Sequence, residues 1–183
     1  MMTVILCIVI LMVAVSMAFA GATEDLLEAM KDKNTTPQMI RTLIKSGANV
    51  NAKDYDDKTA LMFAARCNSD PKVITALLKA GAKVNAEDIS GETALMFAAR
   101  YNSNSEVIHA LLKVGADVNA KDKDGMTALM WVAIHPISSK YLEIIRTLLN
   151  AGANVNAKDN DGKTALDYAQ NDEIKCLILN SAQ

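Results

Sequence analysis

Histidine and cysteine are scarce in this 183-residue chain, and their shortage closes off classes of chemistry. The two histidines, His109 and His135, have no cysteine or second histidine at metal-ligand spacing. His109 sits in "EVIHALLK" and reads as the outward residue of a helix, because a general base needs convergent partners that the sequence does not supply. Serines lack a His/Asp arrangement, and no glycine run of the phosphate-cradling kind occurs. "KDKDG" at 121–125 resembles a calcium loop only in part, since the later bidentate glutamate is missing. These shortages imply no enzyme, no cofactor and no metal. Net charge is only −2, with both signs scattered. A nucleic-acid partner would call for a clustered basic face, so none is expected.

Charge is also missing from one local stretch. The first 20 residues, "MMTVILCIVILMVAVSMAFA", carry no charged side chain. The apolar run from Val4 to Val15 suits the core of an export signal, and Ala18-Phe19-Ala20 offers a small-x-small cleavage site before Gly21. The same stretch approaches the ~20 residues of a spanning helix, so an uncleaved anchor is the competing reading. The chain is therefore expected to be exported, periplasmic or secreted, or else held to a membrane through residues 1–20. Cys7 lies inside the apolar run. Cys67 and Cys176 are expected to stay free thiols, because a disulfide needs Cα atoms within about 7 Å and tandem units separate them.

What the chain does have is repetition. "TALMFAAR" occurs at Thr59–Arg66 and again at Thr93–Arg100, followed by "TALMWVAI" from Thr127 and "TALDYAQN" from Thr164, at intervals of 34, 34 and 37. "GANVNA" at Gly47 returns from Gly81, Gly115 and Gly152 on the same beat. Two phrases in one register define a structural unit copied in tandem. Within it, Thr59 is a helix N-cap, and Leu61, Ala64 and Ala65 share one helical face. Asp70-Pro71 starts a second helix, as Thr36-Pro37 does one unit earlier. Val73, Ile74, Leu77 and Leu78 form its stripe, and Gly81 ends it with a left-handed cap. An extended arm with Val84 and a turn at Ile89–Gly91 lead into the next copy. Neither helix can bury its stripe alone, so the core must lie between copies.

These residues resemble ankyrin repeats, whose unit is about 33 residues long with a T-P-L-H-x-A signature. The likeness covers roughly Thr23 to Asn180. Asp88/Gly91, Asp122/Gly125 and Asp159/Gly162 match the residues that frame the family's finger turn; in the second unit Asp54 matches, but Asp57 replaces the glycine. The second signature position is alanine (Ala60, Ala94, Ala128, Ala165). The signature histidine is replaced by Met62, Met96, Met130 and Asp167, so the interfaces are expected to depend more on packing than on hydrogen bonds. The resemblance implies an all-α repeat solenoid of about five helix-turn-helix units with projecting hairpin fingers, and the apolar run at 1–20 adds an N-terminal hydrophobic signal helix before it. The units fall at about 23–57, 58–91, 92–125, 126–162 and 163–181, within a repeat domain of 21–183. The C-terminal cap is unusually apolar at Cys176 and Leu179.

By the same resemblance, the chain is a non-catalytic module, expected as a monomer, that binds another protein through finger tips and inner helices lining a concave face. Carried over to this sequence, the tip positions are Tyr55, Asp56 and Lys58; Ile89, Ser90 and Glu92; Lys123, Asp124 and Met126; and Asn160, Asp161 and Lys163. The inner-helix ends add Arg66, Arg100, Tyr101, Ile134 and His135. Tyr101, Arg66 and Arg100 are the strongest anchors, as tyrosine and arginine dominate interface hot spots. Phe63, Phe97, Trp131 and Tyr168 recur at one position of successive units, either as an aromatic stripe facing a partner or as packing between repeats. The rival roles are a membrane-anchored scaffold and an accessory that protects or inhibits a partner enzyme. The Lys-, Asn- and Ile-rich wording fits a bacterial or otherwise AT-rich source with an envelope partner.

Overall fold

A computed structural model describes residues 21–102, 104–136 and 138–181; the signal or anchor expected at 1–20 lies outside them. Ten helices follow one another among the described residues. Helix α1 covers residues 21–29. It is followed by α2 (Pro37–Lys45), α3 (Ala60–Cys67), α4 (Pro71–Lys79), α5 (Ala94–Tyr101) and α6 (Ser105–Lys113). The series closes with α7 (Ala128–Ala133), α8 (Ser139–Asn150), α9 (Ala165–Tyr168) and α10 (Asp172–Asn180). Helices α3, α5, α7 and α9 pack in sequence as an inner row, while α2, α4, α6, α8 and α10 form an outer row. The arms between units, expected to be extended, each carry a turn at the "VNA" phrase, with the Ala86 amide donating to the Lys83 carbonyl at 3.3 Å, and among the described residues they make only isolated bridges, Lys53 with Thr59 and Glu87 with Thr93.

The phrase "TALM" starts α3, α5 and α7 by local chemistry. The Thr59 hydroxyl accepts from the Met62 amide at 3.4 Å, and the Met62 sulfur accepts in return from the Thr59 amide at 3.3 Å. Thr93 and Met96 repeat both contacts. Methionine thus serves as the reciprocal partner of a capping box, a place more often filled by Glu or Gln. In α9 the same place is Asp167, whose carboxylate accepts from the Thr164 amide at 2.7 Å and the Thr164 hydroxyl at 2.8 Å. These bonds from backbone and side chain hold the Asp167 carboxyl below its usual range.

Burial follows the expected stripes. Leu61, Ala64 and Ala65 are fully buried, as are Val73, Ile74 and Leu77, whereas Leu78 is only half-buried. The alanines let α3 and α5 approach closely, so a longer side chain there would overpack at a cost of about 1–3 kcal/mol. Burying each large aliphatic residue contributes roughly 1.5–3 kcal/mol. Cys67 is half-buried, Cys176 is exposed and both are free. Leu179, on the last helix, is half exposed.

Packing between units, expected to carry the interfaces in the absence of the signature histidine, is joined by buried hydrogen bonds from other residues. The Asn102 carboxamide donates to the carbonyls of Ala65 and Asn68, each at 2.9 Å. Asn68 does the same one unit earlier, to Thr35 at 3.0 Å and Lys33 at 3.2 Å. Both asparagines are buried. A second row of asparagines, in the "VNA" phrase, spans the arms. Asn85 donates to the Gly115 carbonyl at 3.0 Å and accepts from the Asp117 amide at 2.9 Å. Asn51 and Asn119 make the equivalent pairs.

Fingers touch backbone to backbone. The amides of Ile89, Lys123 and Asn160 each donate at 2.9 Å to the finger before, at Asp56, Ser90 and Asp124. Gly125 has φ +79, and a Cβ there would stand 2.9 Å from the backbone of Asn160 and Asp159; Gly162 has φ +80 and open space around it. Asp57 takes the same left-handed turn at φ 61 without being glycine, a conformation that ordinarily costs about 1–2 kcal/mol.

Two outcomes are expected from these contacts. Gly162→Ala costs about 1–2 kcal/mol from backbone conformation alone, and Gly125→Ala costs about 1–3 kcal/mol more because backbone must move; equal urea midpoints would show that the fingers do not touch. Asn102→Ala leaves two buried carbonyls without a donor and lowers stability by about 2–6 kcal/mol, at roughly 1–3 kcal/mol for each unsatisfied group. Urea unfolding reads it directly.

Candidate partner-binding face

The inner helices start at the fingers, and the side chains of their last turns meet in register from unit to unit. Arg66, at the end of α3, lies over the Tyr101 ring at 4.7 Å from its centre. Arg100 lies over the same ring at 4.9 Å and over Trp131 of the next unit at 3.9 Å. Tyr101 also stacks on Phe97, ring centres 6.2 Å apart. The result is a ladder of alternating cations and aromatic rings across three units, with Tyr101 still 43% exposed at its centre. Stacked rings and guanidinium groups hold one another's rotamers, so this surface is ordered before any partner arrives.

The anchors differ in freedom. Arg66 is exposed. Arg100 is half-buried and bound to Glu92 at 3.2 Å. Burial pushes the Glu92 carboxyl up from its usual value, and Arg100 beside it counters that only in part.

The aromatic register divides between the two roles the sequence left open. Phe63 and Phe97 are buried and fill the interfaces. Trp131 and Tyr168 are half-buried and tethered by their polar edges. The Trp131 indole donates to Asp122 at 3.0 Å, and the Tyr168 hydroxyl donates to Asp159. That bond lowers the Asp159 carboxyl below its usual value and raises Tyr168 to about 12.

Several tip and helix-end residues sit elsewhere than the sequence suggests. Met126 is buried, 6% exposed, so it is not a finger tip. It follows the turn glycine and points into the stack, where Glu92 and Lys58 stand half-buried in the units before. Lys58 is tied to Asp56 at 2.8 Å. His135 serves the stack as well. Its Nε2 lies 2.5 Å from the Arg100 carbonyl, and its ring stacks on Tyr141 with centres 4.2 Å apart. A carbonyl only accepts, so Nε2 carries the hydrogen. His135 thereby takes over the inter-unit clamp that Asn68 and Asn102 supply earlier. The remaining tips, Tyr55, Ile89, Ser90, Lys123, Asp124, Asn160, Asp161 and Lys163, are exposed, as is Ile134 at the end of α7.

Between the last two units these residues enclose a cleft of about 330 Å³. Trp131 and Tyr168 form its walls, Met126 and Ile134 its apolar side, and Asp124 and Asp161 its rim. Sequence reasoning named each of these without foreseeing that they meet. A wider groove of about 790 Å³ runs along the outer row between α4 and α6, beside His109. Among the described residues no group of three or more His, Cys, Asp or Glu is placed to hold a metal, and no helix is long and apolar enough to cross a membrane.

Stacked two-helix units, asparagine ties and glycine-turned fingers define a repeat scaffold, and comparison places it. Residues 26–122, 72–159 and 95–182 match the family described as ankyrin repeats (3 copies). The chain belongs to the ankyrin repeat family. Ankyrin repeats are generally protein–protein interaction modules and typically non-catalytic. No curated protein matches the chain.

The Tyr168–Asp159 bond sets a pH signature. Asp159 titrates below its ordinary 3.8 when folded, so its contribution is present above that value and lost as pH falls through the lowered one. Tyr168 contributes below its ordinary 10.0 and loses the contribution as pH rises through about 12. Tyr168→Phe is therefore less stable than the parent at neutral pH, and the gap narrows in acid as pH falls through the lowered Asp159 value. Urea midpoints at neutral and acid pH decide it: a gap that persists in acid would show that the carboxylate does not carry the difference.

Proposed function

We propose that this chain is a non-catalytic binding module for another protein, acting outside the cytoplasm. The observation that supports this most directly is the ladder of Arg66, Tyr101, Arg100 and Trp131, pre-ordered yet open at Tyr101. Exposed aromatic and arginine side chains that are already fixed lose little entropy on binding, which is the condition for a hot spot. Finger tips on one side, led by the fully exposed Tyr55 and the half-exposed Ile89, extend the contact area. The location rests on residues 1–20, whose apolar run and small-residue site fit export.

Affinity capture from an extracytoplasmic extract tests the reading, with the full chain as bait. A second bait carries Tyr101→Ala and Arg66→Glu. Arg100 is left in place because its removal would strand Glu92. One protein retained by the first bait and at least tenfold depleted on the second is the expected outcome, since two hot-spot losses together exceed about 1.4 kcal/mol. Equal retention on both baits, or none on either, removes the inner face from the account and favours a membrane-anchored scaffold. In that case the chain fractionates with membranes and keeps residues 1–20. If the captured protein is an enzyme whose activity changes on adding the chain, the module is an accessory that protects or inhibits it.

A further inference from the structure

We propose that the cleft between Trp131 and Tyr168 receives an arginine side chain from the partner protein. The inference rests on the binding reading above and names the chemistry the partner brings.

The repeat itself supplies the argument, because one interface shows what occupies the same place in the next. In the third unit Arg100 ends the inner helix, reaches the ring of the following unit and lies 3.9 Å from the centre of Trp131. Its charge is met by Glu92, which stands just after the finger-turn glycine. One unit on, the residue in register with Arg100 is Ile134, and the residue in register with Glu92 is Met126. The next ring in the register is Tyr168. Among the described residues no cation of the fourth unit reaches Tyr168; the one cation over that ring is Lys163 of its own unit, an exposed ammonium 5.6 Å from the ring centre, and the space that Arg100 fills one step earlier is the 330 Å³ cleft. Its apolar side is made by the two residues that replace the ion pair.

The rest of the lining suits a guanidinium group. Asp124, Asp159 and Asp161 face the cleft, and no lysine or arginine lines it. Asp159 is already engaged by the Tyr168 hydroxyl. The Asp124 carboxylate has no partner among the described residues, and Asp161 has only Lys163 at 3.9 Å, both well exposed, an arrangement that holds little energy. Tyr168 donates to a carboxylate, which raises electron density on its ring and strengthens attraction for a cation at its face. The rim oxygens then stand ready for a planar fork of N–H donors, which arginine supplies and a point-charge ammonium does not. Because the carboxylates are not placed to hold a metal, the fitting cation is an organic one. The volume lies at the small end of ligand sites, room for one long side chain.

Trp131 is the only tryptophan in the chain, so its indole N–H resonance reports this cleft and no other place. Titration of the 15N-labelled protein with N-acetyl-arginine N-methylamide is expected to move that resonance saturably at millimolar concentration. The neutral isostere N-acetyl-citrulline N-methylamide is expected to bind about fivefold more weakly, the worth of one cation–π contact. Asp124→Asn with Asp161→Asn weakens the arginine probe several-fold. Met126→Glu with Ile134→Arg rebuilds the pair of the preceding unit, fills the cleft from within and abolishes the shift, while resonances in the other units stay in place.

Equal binding of both probes shows an apolar cleft and overturns the proposal. So does an arginine shift that survives the filled variant, or no saturable shift at all. The probes need no partner protein, which separates this proposal from the binding reading. Capture of a partner alongside a flat titration overturns the cleft alone, and a specific titration alongside empty capture supports the cleft while the inner-face reading falls.

Discussion

The carboxamides of Asn68 and Asn102 each reach back across a unit to two main-chain carbonyls, Asn68 to the connector after α1 and Asn102 to the end of α3 and its cap. The carbonyls that Asn102 meets would otherwise be left without a donor, because a helix end leaves its last acceptors unsatisfied. The clamp thus does two jobs with one side chain. It completes the previous helix, and it fixes where the next one ends. The places of Arg66, Arg100 and Tyr101 follow from that, since all three stand within two residues of a clamping asparagine. At the third interface His135 does the work, donating to the Arg100 carbonyl, and the arginine's backbone and guanidinium are thereby held at once.

Much of this was legible because it is periodic. Two phrases recurring at a common interval determined the unit, the helix starts at Thr59 and Thr93, the proline-led outer helices and the glycine stops, all of which depend on residues close in sequence. The clamps were less visible. Asn102 and the carbonyls it meets lie 34 and 37 residues away, so their meeting is a fact about stacking and not about local preference. The recurrence of asparagine after α3 and α5 was a usable signal, as was the asparagine of "VNA", since a polar side chain repeated at a buried junction must have a repeated partner.

The face shows the same division. Tip positions at Tyr55, Ile89, Asp124 and Asp161 are exposed as the pattern suggests, because the turn geometry that exposes them is local. Met126 and His135 departed from it for opposite reasons. Met126 shares its place with the charged Glu92 and Lys58, so register alone gave no sign that an apolar side chain there turns inward. His135 lies in the longest connector, where the interval stretches to 37 and register gives no guidance. The aromatic column defeated a single assignment because it has two halves. Phenylalanine has no polar edge and is absorbed by the interface, whereas tryptophan and tyrosine are pulled toward Asp122 and Asp159 and remain half in solvent.

The fingers leave a consequence of another kind. Their spacing is set by one amide-to-carbonyl bond per step and by glycines whose missing Cβ lets adjacent turns touch. At the first two steps neither contact involves a tip side chain; at the last, the Asn160 carboxamide adds a bond to the Lys123 carbonyl at 2.8 Å. The pitch of the scaffold is therefore set chiefly by backbone and little by what is written on it. Tyrosine, isoleucine, lysine and asparagine can stand at the same rung without changing the distance to the next. A surface built this way can change its meaning residue by residue while keeping its ruler, so that new specificity does not require a new fold.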